Sequence, residues 1–240
     1  MVLTAGYGVI WDLDGTLVDT SELHFEAWAR LAQELNRSVS RAAFERTFGR
    51  RNPEIIRELF TADFPDDVVL RLGDRKEQFY REAARRGMEL LPGARPLLEA
   101  IHGAGAGQAI GSSAPRANVD LIIDLTGIRR FFSVVVSMED TERGKPDPQV
   151  FQIAAERLGL KAHRCVVFED ARPGVEAAKA AGMKCIAVCG AGHYTEASLK
   201  QAGADRVVKT LEQVSLVVIQ ELLKADETPE SQNRSPRRLQ

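Results

Sequence analysis

Residues 10–20 read IWDLDGTLVDT. An apolar run ends there in two aspartates one residue apart, and Gly15-Thr16 follows at once. Carboxylates that close repel one another, so either a cation lies between Asp12 and Asp14 or chemistry needs them both. The run that leads into them, YGVIWD (residues 7–12), is apolar without alternation, which suits a strand covered on both faces. A covered strand belongs to a parallel sheet, and the open end of such a strand is where ligands bind.

Five more runs of the same kind follow: QAIGSS (108–113), SVVVSM (133–138), CVVFED (165–170), CIAV (185–188) and RVVKT (206–210). Helical patterns alternate with them from about residue 94, with Leu97, Leu98 and Ile101 on one stripe and Val119, Ile122 and Ile123 on another. Pro115 and Pro148 are placed to begin helices, and Asp147 reads as a helix cap. Strand and helix in regular turn predict an α/β fold with a doubly wound parallel sheet.

Between Thr20 and Leu91 the rhythm changes. Leu23, Ala27, Leu31 and Leu35 fall four apart, and Ile55, Ile56, Leu59 and Phe60 form a second apolar face, so this stretch predicts an inserted, all-helical cap domain. Pro92-Gly93 in LLPGA (90–94) is the turn that returns the chain to the sheet. The expected division is a core of residues 1–20 and 92–225, a cap of 21–91, and a polar, proline-bearing tail of 226–240 expected to be disordered.

The chain has 240 residues, 44% hydrophobic and 28% charged, enough for a sizeable core. With 32 basic against 34 acidic residues and a net charge of -2, no global field draws it to nucleic acid or to a membrane surface. No apolar run approaches a membrane span. Cys165, Cys185 and Cys189 are too few for a disulfide framework and read as buried thiols, which points to the cytoplasm. Oligomeric state is not encoded in any pattern, and a monomer is compatible with all of them.

In a parallel sheet the carboxyl ends of the strands share one edge. There the first strand delivers Asp12 and Asp14, the second Ser112 and Ser113, the third leads into Lys145 within RGKPDP (143–148), and the fourth ends in Glu169-Asp170. Several carboxylates stay ionised together only around a cation, and hard oxygen ligands suit Mg2+. Mg2+ and lysine both neutralise phosphoryl oxygens, so the expected partner is a small phosphorylated metabolite. Asp12 could then act as nucleophile and Asp14 as general acid and base.

DLDGTLVDT (12–20), Ser112 after an apolar strand, GKPDP (144–148) and VFEDARPGVEAAKAAG (167–182) resemble, in order and context, the four motifs of the haloacid dehalogenase-like superfamily. The likeness runs to roughly residue 215 and is greatest to the branch of small phosphatases and β-phosphoglucomutases that carry a helical cap. It implies a Rossmann-like core, an aspartyl-phosphate on Asp12, and Asp14 as acid and base that also lends its backbone carbonyl to Mg2+. It further implies Ser112 and Lys145 on the transferring phosphoryl group and Glu169 with Asp170 on the metal. The dehalogenases of the superfamily generally lack the second aspartate, so Asp14 argues for phosphoryl chemistry.

The cap residues leave more than one reading open. In TFGRRNPEII (47–56), Asn52 could cap a helix beginning at Pro53 with Arg50 and Arg51 solvated, or this loop could hang over the crevice and grip substrate. His24 is either a group at the crevice or part of a helix face, whereas Trp28 reads as packing. Phe48 precedes Gly49 where the mutases carry lysine, and Asn52 stands at their later arginine, which favours hydrolysis over β-phosphoglucomutase activity. A third reading, a non-catalytic regulatory or binding protein, is disfavoured by the intact set Asp12, Asp14, Lys145 and Asp170.

Overall fold

The structure, a computed structural model, describes residues 6–47, 50–190, 192 and 194–224. The expected disordered tail, Phe48 and Gly49 lie outside the described residues. Strands β1 (Gly8–Trp11), β2 (Gly107–Gly111), β3 (Val134–Val136), β4 (Cys165–Glu169), β5 (Lys184–Val188) and β6 (Arg206–Val208) fall on the six apolar runs. They form one sheet in the order β3-β2-β1-β4-β5-β6, with every pairing parallel. Order reverses at β1, which lies between β2 and β4, so the crevice of this doubly wound sheet opens at the ends of β1 and β4.

Side chains alternate along each strand; both faces are buried in the central strands β1, β2 and β4, whereas the edge strands β3 and β6 are only partly covered. Val9, Trp11, Ile110, Val166, Phe168 and Ile186 belong to one apolar layer; Ile10, Ala109, Val136, Val167, Cys185 and Ala187 belong to the other. Trp11 stacks on Phe168 at 4.2 Å between ring centroids, locking together the two strands that carry the acidic residues. Cys165 and Cys185 are buried and unbridged, and burial pushes the Cys165 thiol up to about 12.

The segment between β1 and β2 begins with four helices, α1 (Ser21–Glu34), α2 (Arg41–Glu45), α3 (Asn52–Leu59) and α4 (Asp66–Ala84). Ala27, Leu31, Ile55 and Ile56 are buried on the stripes read from sequence. The two connections to the sheet run side by side, with Val18 bridged to Leu90 and the Leu91 N–H donating to the Leu17 carbonyl at 2.8 Å. Gly93, at φ 84, makes the return turn; a Cβ there would lie 2.3 Å from the Glu212 nitrogen, so only glycine fits.

Among the described residues six further α-helices follow: α5 (Ala94–Gly103), α6 (Arg116–Leu125), α7 (Gln149–Arg157), α8 (Arg172–Ala180), α9 (Glu196–Gln201) and α10 (Leu216–Lys224). Pro115 and Pro148 stand one residue before α6 and α7, and the Asp147 carboxylate accepts from the Gln149 N–H at 3.0 Å, so the expected cap is present with the boundary moved by one. The α3 expectation is corrected: Arg51 holds the cap position and Asn52 is the first helical residue. The Asn52 side chain leaves its own helix for a charged acceptor, the Glu77 carboxylate at 2.7 Å, which is the stronger partner. At the start of α6 the Glu139 carboxylate accepts from the Arg116 N–H at 2.9 Å.

Candidate active site

Asp12 follows the last residue of β1, and its N–H bonds the Phe168 carbonyl of β4, which draws Glu169 and Asp170 beside it. One carboxylate oxygen from each of Asp12, Glu169 and Asp170 lies within 4.8 Å of the others, and all three residues are buried. Lys145 reaches in from the loop after β3, with Nζ 2.5 Å from Asp12 Oδ1 and 2.7 Å from Glu169 Oε1. Ser112 closes the group at the end of β2, buried, its Oγ accepting from the Ala114 N–H at 3.1 Å.

The electrostatics of this cluster are unbalanced. Burial pushes the Asp12 carboxyl up to about 8, opposed by Lys145 and reinforced by Glu169 and Asp14. Burial, with the Glu169 and Asp12 charges, likewise drives Asp170 well above its ordinary range. Burial works against the Lys145 charge, but Asp12 and Glu169 outweigh it and raise the ammonium above its usual value. One ammonium does not neutralise three buried carboxylates.

A divalent cation fits the residues present. Every donor is a carboxylate oxygen, the set a hard ion prefers. Glu169 is saturated: Oε1 accepts from Lys145, and Oε2 accepts from the Asp170 and Ala171 N–H groups at 2.8 Å each. Asp170 Oδ2, by contrast, is buried with no hydrogen-bond partner. Glycine clears the space around it: a Cβ on Gly15 would fall 2.0 Å from that oxygen.

Asp14 points elsewhere. Its Oδ1 accepts from Thr20 Oγ1 at 2.6 Å and lies 3.5 Å from His24 Nε2. Burial raises its carboxyl, but the His24 hydrogen bond and charge and the Thr20 hydroxyl together bring it below its ordinary value. The two aspartates therefore occupy different surroundings, one in the acidic cluster and one facing the helical segment.

Behind His24 lies a buried network. Lys76 Nζ is 2.7 Å from His24 Nδ1 and 2.9 Å from Glu77 Oε1, and the Lys76 side chain is 2% exposed. Glu77 also accepts from Asn52 at 2.7 Å and from Asn118 on α6 at 2.5 Å, while Arg81 donates to Asn118 at 2.9 Å. Burial works against the Glu77 charge, yet the Lys76 and His24 charges hold its carboxyl at about 2. Lys76, Glu77 and Asn118 were not singled out from the sequence. A signal was available: Lys76 and Glu77 lie on the α4 stripe of Val69, Gly73 and Tyr80, and charges on a buried stripe require partners.

The cavity is lined by the acidic cluster, Ser112, Ser113 and Lys145 on one side and by His24, Trp28, Phe44, Ile55, Lys76 and Glu77 on the other. Arg50, Arg51 and Asn52 also line it, but each is engaged within the protein. Arg50 pairs with Glu58 at 2.6 Å, Arg51 with the loop at Thr141 and Glu142, and Asn52 with Glu77. Trp28, expected as packing, is buried and also forms part of the cavity wall.

The parallel sheet thus carries buried carboxylates at its switch point, with a cavity between them and the helical insertion. Residues 9–188 match the family of haloacid dehalogenase-like hydrolases, and the chain belongs to it. It is 31% identical over 221 residues to a phosphorylated carbohydrates phosphatase of Thermotoga maritima, covering 90% of this chain and 99% of that one. It is 32% identical to a β-phosphoglucomutase of Mycobacterium bovis, over 84% of this chain and 88% of that one. A chloroplast 5-amino-6-(5-phospho-D-ribitylamino)uracil phosphatase of Arabidopsis thaliana is 31% identical over 92% of this chain, which spans 59% of that longer protein. Among the described residues no helix is long and apolar enough to cross a membrane.

Proposed function

We propose that the protein is a Mg2+-dependent phosphomonoester hydrolase acting on a small phosphorylated metabolite, a sugar phosphate, through an aspartyl-phosphate on Asp12. The observation that supports this most is the division of labour between the aspartates: Asp12 sits with Lys145 in the acidic cluster, and Asp14 faces the cavity with Thr20 and His24. Asp12, Asp170 and the Asp14 backbone carbonyl would hold Mg2+, with Glu169 fixing the site from behind. Bound there, the ion neutralises phosphoryl oxygens and keeps the carboxylates ionised.

Asp12 attacks phosphorus, forming a P–O bond as the bond to the leaving oxygen breaks. That oxygen takes a proton relayed from solvent through Asp14, and the Asp14 carboxylate then takes one from the water that attacks the phosphoryl group, which returns Asp12 to its free form. Ser112 and Lys145 hold the phosphoryl oxygens throughout. The helical segment, packed over the site, excludes bulk water during the first step.

Hydrolysis is favoured over the mutase reading because the cap residues that could grip a second phosphate are engaged within the protein, Arg50 by Glu58, Arg51 by the 141–142 loop and Asn52 by Glu77. The test is incubation with β-glucose 1-phosphate, Mg2+ and a trace of glucose 1,6-bisphosphate, assaying phosphate and glucose 6-phosphate together, followed by a wider sugar-phosphate panel. Phosphate release that stops with EDTA and returns with Mg2+ is expected. Rapid accumulation of glucose 6-phosphate instead would establish the mutase.

A further inference from the structure

Arg51 crosses from the start of α3 to the loop that precedes Lys145. Its Nη2 donates to Thr141 Oγ1 at 2.6 Å and to the Thr141 carbonyl at 3.3 Å, and its Nη1 donates to the Glu142 carbonyl at 3.1 Å. Below the guanidinium stem is Gly144, where a Cβ would lie 2.8 Å from Arg51 Nε and 3.2 Å from Cδ and Cγ. The far side of the loop is pinned to α7, since Gln149 Oε1 accepts from the Glu142 N–H at 2.8 Å. Lys145 comes next in the chain, with its Nζ on Asp12 and Glu169.

This seat is made of two backbone carbonyls and a hydroxyl, all within four residues of Lys145, and the missing side chain at Gly144 is what admits the stem. A planar fork with several donors matches such a seat, whereas a point charge does not. Arg51 makes its hydrogen bonds to the loop and none to Asp12 or Lys145. Although Arg51 also lines the cavity, all its donated hydrogen bonds go to this loop, so its link to Lys145 runs through the loop's position.

We infer that Arg51 is a positioning residue: its docking on residues 141–144, when the helical segment is closed over the sheet, sets Lys145 against Asp12. The inference rests on the hydrolase reading with Asp12 as nucleophile. Closure and assembly of the catalytic group are then one event, because the residue that closes the seam also fixes the loop carrying the lysine.

The test is a double-mutant cycle with p-nitrophenyl phosphate and saturating Mg2+. Arg51→Ala is expected to lower kcat by about 10-fold or more with KM changed less than about 3-fold, and Arg51→Lys to restore only part of it. Gly144→Ala should lower kcat comparably, because its methyl displaces the guanidinium, and adding it to Arg51→Ala should cost nothing further. Beryllofluoride affinity, read by thermal shift, reports the Asp12–Lys145 arrangement without turnover and should weaken about 10-fold in Arg51→Ala. Additive losses in the cycle, or an Arg51→Ala protein with unchanged kcat and beryllofluoride affinity, would overturn the inference alone. A parent protein that neither turns over nor binds beryllofluoride would instead remove the hydrolase reading. Should Arg51→Ala fail to fold, Arg51→Lys and Gly144→Ala decide: both at parental kcat contradict the inference, and both lowered support it.

Discussion

Asp12→Asn is expected to abolish turnover, by about 10⁴-fold or more, while leaving a folded protein that without Mg2+ is harder to unfold than its parent. The loss follows from the amide, which cannot attack phosphorus. The gain follows from burial, because Asp12 is one of three carboxylates held together around a single ammonium. Lys145 keeps Glu169 as its partner in the variant, 2.7 Å away, so no buried charge is left alone.

The pH dependence carries the same sign. Burial raises the Asp12 carboxyl from its ordinary 3.8 to about 8, so between those values the metal-free folded state binds more protons than the unfolded chain. Its stability therefore falls as pH rises through that window. Thermal unfolding in EDTA at about pH 5 and about pH 8 should show a shallower loss in Asp12→Asn, with a remainder because Asp170 is shifted the same way. An equal slope in both proteins would place Asp12 outside the cluster's charge balance.

Gly174→Ala is expected to damage the site as well, although it alters no chemical group. A Cβ there would fall 1.7 Å from Glu169 Oε1 and 1.9 Å from its carboxyl carbon. Glu169 has nowhere to retreat, because its other oxygen is held by the Asp170 and Ala171 N–H groups. Moving it releases Lys145 and disturbs Asp170 at once. Activity titrated against Mg2+ should show metal affinity weakened by about 100-fold or more. Gly103→Ala, at a helical position with nothing within 4 Å, is the control and should behave as the parent. Matching behaviour of the two variants would mean that Glu169 does not support the site.

Much of this architecture is legible in the sequence because its signals are local. Val9 to Trp11, Val134 to Val136 and Val166 to Phe168 read as covered strands because a sheet layered on both sides favours apolar residues on both faces; the structure buries the first and last of these fully and leaves Val134 and Val135, on the edge strand, half-buried. The acidic cluster is legible for a topological reason: once the strands are parallel, Asp12, Ser112 and Glu169 must emerge along one edge.

What stays hidden depends on how the helical segment meets the sheet. Glu77 takes its partners from α3, from α4 and from α6, 41 residues further along, so no local pattern identifies them. Asn52 reads as a helix cap by residue type, and only the nearby Glu77 charge draws it away. Arg51 reads as a surface or substrate-binding cation, since nothing near residue 51 announces a seat at Thr141. Long side chains reveal their donors in sequence but not their acceptors.

Phosphoryl transfer through Asp12 is the step on which the proposed hydrolysis depends. It is tested most directly by mixing the protein with a substrate it turns over and Mg2+, quenching in acid within one turnover, and locating any phosphoryl adduct by peptide mass spectrometry. An adduct on Asp12 is expected that forms and decays at rates able to support turnover and is absent from Asp12→Asn. Full turnover with no adduct on Asp12, or with the adduct on another residue, would contradict it.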